Sequence, residues 1–200
     1  MKIFLTSDIH TERAHKRFVP NFDYPYLRFD YPTEADVIVL AGDIGEWVNG
    51  IEWARHRFKN KEIIYVPGNH EYYKSDLTVL EELRSKAKEL DIHFLENDSV
   101  VIGNVRFLGT TLWTDCNDFS AAEVDKAQAS ITDYSVIGIT KWLADKNNKL
   151  VEPLKLLPIT DTNKHELFTP LIAYLLHKNS LKWLDLNSSH LNSSHKCITQ

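Results

Sequence analysis

Three short apolar runs open the chain: Ile3 to Leu5, Val37 to Ala41 and Ile63 to Val66. Each is rich in β-branched residues and apolar on both faces, the pattern of a strand buried on two sides, so each is expected as a central strand. Their exits are polar. The first runs into Thr-Ser-Asp8-Ile-His10, the second into Gly42-Asp43, and the third into Pro67-Gly68-Asn69-His70-Glu71. Farther on, Leu77, Leu80, Leu83, Ala87 and Leu90 recur at helical spacing, with Glu81, Glu82, Arg84, Lys86 and Lys88 between them, which predicts an amphipathic helix over the sheet.

Residues 92–112 read as short strands, with Asn97-Asp98 as a turn before Val100 to Ile102 and Gly103-Asn104 as a hairpin turn before Val105 to Leu108. Ala121 to Ile131 is expected as a helix, and the stretch from 150 to 160, broken by Pro153 and Pro158, as irregular chain. Thr169 and Pro170 suit the cap and first residue of a helix that runs toward Leu186. Residues 187–200 are expected as a polar tail, in which Leu186 to His190 spells LNSSH and Leu191 to His195 repeats it.

Composition changes this picture little: 200 residues fit one domain, and 43% hydrophobic with 26% charged residues suits a packed core. The formal charge of −5 argues against general nucleic-acid binding, which needs a Lys/Arg-rich face. Cys116 and Cys197 stand far apart and form no CxxC pattern, so neither a disulfide framework nor a structural zinc site is expected. The opening MKIFLTSDIH turns polar too early for a signal-peptide core or a membrane span, and the expectation is a cytoplasmic protein with no membrane partner.

The exits carry the chemistry. In a parallel α/β sheet, ligands bind in the crevice outside the carboxyl ends of the strands, so Asp8, His10, Asp43, Asn69 and His70 would converge there. The intervals between exits each leave room for one crossover to a parallel neighbour. Alternation along an extended segment would put Asp8 and His10 on the same side. Gly42 and Gly68 would permit the sharp turns that aim the next side chains inward. Carboxylates, an amide and imidazoles suit a divalent cation.

Asp8-Ile9-His10, Gly42-Asp43 and Gly68-Asn69-His70-Glu71 together resemble the first three motifs of the calcineurin-like metallophosphoesterases, in particular small phosphodiesterase-like members. The likeness is close over residues 1–115, including Gly109-Thr-Thr-Leu-Trp113, and loose over 116–186. It implies an α/β fold, a four-layer αββα sandwich, that hydrolyses a phosphoester substrate as a phosphatase or phosphodiesterase. It also implies two divalent ions of Mn, Fe or Zn, with Asp8 and His10 on the first, Asp43 bridging, Asn69 on the second, and His70 as a catalytic acid outside the ligand set.

The family's later His-His and Gly-His-x-His motifs have no counterpart among His15, His56, His93, His165, His177, His190 and His195. The expectation is therefore a phosphoesterase domain over residues 1–186 that is incomplete on its C-terminal side. Its second sheet would be short of strands, its metal binding and hydrolysis weakened, and its apolar edges prone to self-association. Replacement of the missing ligands by His190 or His195 is one alternative. Another is a non-catalytic protein that keeps the scaffold as an interaction surface, as one retromer subunit does. Tyr72, Tyr73 and Trp47 suit either a pocket wall or packing, Glu71 is expected to fix neighbouring backbone, and Cys116 to be a buried or loop thiol. Substrate identity and oligomeric state carry no signature in these residues.

Overall fold

The structure, a computed structural model, describes residues 1–15, 32–145 and 166–188. Four strands, β1 (Ile3–Thr6), β2 (Val37–Ala41), β3 (Glu62–Val66) and β4 (His93–Phe94), form one sheet in the order β1-β2-β3-β4, parallel throughout. β5 (Asp98–Ile102) and β6 (Val105–Gly109) pair as an antiparallel hairpin across Gly103 and Asn104, and Gly103 takes the positive φ of 60° that the tight turn requires. Asp98 belongs to β5; the turn before that strand falls on Asn97, at φ 50°.

Period-two alternation assigns the two faces of the parallel sheet. Ile38, Leu40, Ile63 and Tyr65 face a large core shared with Ile51, Trp53 and Ala54 of α2 (Asn49–Arg57) and with Val79, Leu83 and Ala87 of α3 (Val79–Glu89). Val37, Val39, Ile64 and Val66 face the other way and pack with Leu95 and with Phe107 of the hairpin. Arg106 lies on the hairpin's far face and donates to Asn187 of α8 (Pro170–Ser188), while Ser180 of α8 is buried against Thr110. Helices, parallel sheet, hairpin and α8 make the αββα order, and the second sheet has two strands among the described residues. Short helices α1 (Glu12–His15), α4 (Cys116–Phe119), α5 (Ala121–Ser130), α6 (Asp133–Val136) and α7 (Thr140–Ala144) fill the connections.

Central placement holds for β2 and β3. β1 instead stands at a sheet edge among the described residues: β2 covers one side, and Leu5 is 55% exposed. The apolar run was a sound signal for a strand, but it cannot report which neighbours are present. The helices over 79–89, 121–130 and 170–188 sit where the periodicity and the Thr169-Pro170 pair put them. Pro153, Pro158, His165, His190, His195, Cys197 and the LNSSH repeat beyond Ser188 lie outside the described residues. Among the described residues no helix is long and apolar enough to cross a membrane.

Candidate metal centre

The loops after β1, β2 and β3 meet at one end of the sheet, and their backbones are tied together. Asp8 N donates to Gly42 O at 3.1 Å, His10 N to Asp43 O at 3.0 Å, and Thr11 N to Ile44 O at 2.8 Å. Asp8, His10 and Asp43 have φ of 55°, 53° and 54°. Left-handed backbone at non-glycine residues costs about 1–3 kcal/mol each and persists where surrounding contacts enforce it. The expectation that alternation along an extended segment aligns Asp8 with His10 is therefore corrected: the chain turns at both residues, and hydrogen bonds to the second loop set their directions.

The two glycines act differently from each other. Gly42 has φ 84° and makes the turn. Gly68 is required for close approach, since a Cβ there would collide with the Asp43 carboxylate and backbone N. Underneath, Glu71 is fully buried and accepts five hydrogen bonds, from the backbone N–H groups of Asp43 (3.2 Å), Ile44 (2.9 Å), Gly45 (3.2 Å) and Gly68 (2.6 Å) and from Tyr65 Oη (2.7 Å). Burial pushes its carboxyl up while these donors oppose the shift. Glu71 thus fixes the backbone of two loops, the role its position after Asn69-His70 suggested.

At the surface of this frame, His10, Asp43 and His70 each offer a ligand atom, all within 4.8 Å of one another. Asp43 is 9% exposed; burial raises its carboxyl, the His70 backbone N–H and the two imidazoles pull it back, and Asp8 raises it further. His70 opens a single 3-10 turn, His70–Tyr72, with its ring 4.3 Å from that of His10 and stacked on Tyr73 at 4.1 Å. Asp8 and Asn69 lie at the same strand ends, and Asp8 stands outside this cluster. The Asp8 carboxylate is exposed and accepts from Ser7 Oγ. The Asn69 amide donates to Asp133 Oδ1 at 2.7 Å and to Tyr73 Oη at 3.3 Å. Of the neighbouring aromatics, Tyr72 is buried against Trp113, Tyr73 belongs to the site, and Trp47 is 44% exposed with its indole N–H donating to Glu82. Cys116 is a buried free thiol.

Glu12 was not singled out from the sequence, although it continues the Asp8-x-His10 spacing. Its Oε1 lies 3.1 Å from Nδ1 of both His10 and His70. Burial raises its carboxyl, but the His70 hydrogen bond, its own backbone and His10 outweigh this and hold it below the usual range. An ionised carboxylate only accepts, so both imidazoles turn Nδ1–H toward Glu12 and leave Nε2 without a partner among the described residues. Burial lowers the pKa of His70, while Glu12 and Asp43 outweigh it and raise the net value.

The donor set fits a divalent cation. His10 and Asp43 converge as N and O donors in the loops after β1 and β2 with His70 beside them, and Glu12 Oε2 is buried with no hydrogen-bond partner among the described residues, a placement that nearby positive charge would compensate. A cleft of about 540 Å³ opens beside Glu12, His70 and Tyr73, and another of about 310 Å³ beside Gly68, Asn69, Trp113 and Asp133. A larger open cleft of about 1060 Å³ lies at the opposite ends of the strands, between Asp36, Glu62 and Asp91. Its Arg55 is engaged with the Leu90, Phe58, Lys61 and Asp91 carbonyls, and it holds none of the converging groups.

Comparison with known proteins identifies the fold and the family. The chain is 30% identical over 174 residues to protein L509 of Acanthamoeba polyphaga mimivirus, covering 80% of this chain and 56% of that protein. Its fold is similar to that of a phosphopantetheinyl hydrolase from Mycobacterium tuberculosis, with a TM-score of 0.58 at 16% identity, covering 99% of this chain and 66% of the other. The chain thus spans a little over half the length of the viral relative and about two thirds of the bacterial structure. The calcineurin-like phosphoesterase family matches residues 1–184, nearly the whole chain, and with the strand-end motifs in that family's order the protein belongs to the calcineurin-like phosphoesterases.

Proposed function

We propose that the chain is a metal-dependent phosphoester hydrolase that works at the carboxyl ends of β1, β2 and β3. The observation that carries this reading is the convergence of His10, Asp43 and His70 within 4.8 Å on a backbone fixed by Glu71. His10 and Asp43 would hold a divalent ion, with Asp8 completing that position; Asp43 would be shared with a second ion held through Asn69. Bound there, such ions supply positive charge to phosphoryl oxygens and lower the pKa of water.

The chain's own groups account for the rest. Glu12 holds the His10 ring with Nε2 directed away from it, the orientation a ligating imidazole needs. His70 carries a raised proton affinity, and its stacking on Tyr73 fixes the ring. It serves as the proton donor to a leaving alkoxide or phenolate oxygen. Mn²⁺-dependent hydrolysis of bis(p-nitrophenyl) phosphate tests the reading: turnover is expected from the 200-residue chain, to be lost in Asp43→Ala and strongly reduced in His70→Asn. Wild-type turnover in Asp43→Ala would refute it.

A second reading, a phosphoesterase scaffold kept for interaction alone, is favoured by one observation. Only one cluster of three His, Asp, Glu or Cys groups forms among the described residues, and the Asp8 carboxylate stands outside it. The same assay decides: a scaffold neither turns over substrate nor responds to Asp43→Ala.

A further inference from the structure

Asn69 lies where a cation-ligating side chain is expected, yet an amide has two ends and only one carries a lone pair for a metal. Which end faces the site is set by its partners. Asp133, the first residue of α6 and 7% exposed, stands 64 residues away in a stretch with no family motif. Its Oδ1 accepts from Asn69 Nδ2 at 2.7 Å and from Tyr73 Oη at 2.8 Å. Tyr73 Oη in turn accepts from Asn69 Nδ2 at 3.3 Å, and its ring stacks on His70. The Nδ2 end of the amide is thereby held by two acceptors on one side. Asn69 Oδ1 accepts no hydrogen bond from the described residues.

We infer that Asp133 is a positioning residue that locks the Asn69 amide with its carbonyl oxygen presented to a divalent cation, and that Tyr73 couples this lock to the His70 ring. The inference rests on the proposed ligand role of Asn69. The physical reason is asymmetric: a carboxylate has no donor, so the flipped amide, with Oδ1 toward Asp133, would set two acceptors against each other inside a largely buried site. An Asn at position 133 removes that discrimination, because its own amide can meet either end. Nothing in the spacing of residues 116–145 marks Asp133; only the fold brings it to Asn69.

The test is a calorimetric titration of the full chain with Mn²⁺, alongside Asn69→Ala, Asp133→Asn and Asp133→Glu, with thermal melts as the control for folding. Expected is a loss of about 10–100-fold in affinity for one of two ions in both Asn69→Ala and Asp133→Asn. The other ion should be unaffected, and Asp133→Glu should recover part of the loss. Wild-type affinity in Asp133→Asn together with a loss in Asn69→Ala overturns the positioning role alone. Wild-type affinity in Asn69→Ala overturns the ligand role and the inference with it. A measurement on the unsubstituted protein is independent of how the variants fold: in the metal-free chain the Asn69 side-chain amide protons should exchange slowly with solvent by NMR, and free exchange would overturn the lock.

Discussion

Strands β1 and β2 lie side by side in perfect register, and both end in candidate ligands, but they hold those ligands by different means. β2 is sealed on both faces, with Val37, Ile38, Val39 and Leu40 all fully buried, and its exit loop is clamped by Glu71. Among the described residues β1 lies at the sheet edge with Leu5 exposed, and its exit is held by three backbone hydrogen bonds onto the loop that follows β2. The positions of Asp8 and His10 are thus templated on the Asp43 loop, and not on the packing of their own strand. The hydrogen bonds of this site centre on Glu71, and the β1 exit joins them through the loop after β2.

Breaking the clamp should have the largest effect. Glu71→Ala strands four buried backbone N–H groups and the Tyr65 hydroxyl, and is expected to cost more than about 4 kcal/mol of stability. Urea denaturation checks this, and an unchanged midpoint would show that the loops hold themselves. Next comes Leu40→Ala in β2, which opens a cavity in the main core and should cost about 2–5 kcal/mol. Glu12→Gln should leave the melt near wild type but lower turnover by about 10–100-fold, since a neutral amide holds the two Nδ1–H groups less firmly and can turn its own donor toward one of them. Full turnover in that variant would separate Glu12 from the chemistry. Smallest is Leu5→Ala at the edge, expected within about 0.5 kcal/mol. A loss comparable to that of Leu40→Ala would mean the edge is covered in solution, and sedimentation would then show association.

Much of this architecture was legible from periodicity. The buried runs located β1 to β3, and Gly103-Asn104 located the hairpin, because strand and turn signals are local. The edge position of β1 was not legible, since an apolar run registers burial on average and does not name its neighbours. At the site, the motifs pointed to Asp8, His10, Asp43, Asn69 and His70, of which His10, Asp43 and His70 come together, and to Glu71 as a brace. The reasoning that linked Asp8 to His10 through strand alternation failed because both residues adopt left-handed backbone that only contacts from the second loop enforce. Glu12 had a faint signal in its spacing from His10. Asp133 had none, because its partnership with Asn69 arises wholly from tertiary placement.

Anomalous diffraction from crystals of the chain grown with Mn²⁺ tests the central claim most directly. The account predicts a manganese peak at the carboxyl end of the parallel sheet, beside the Asp43 carboxylate and the His10 imidazole. A peak elsewhere, such as the cleft beside Glu62 and Asp91, or no peak at saturating metal, would contradict it.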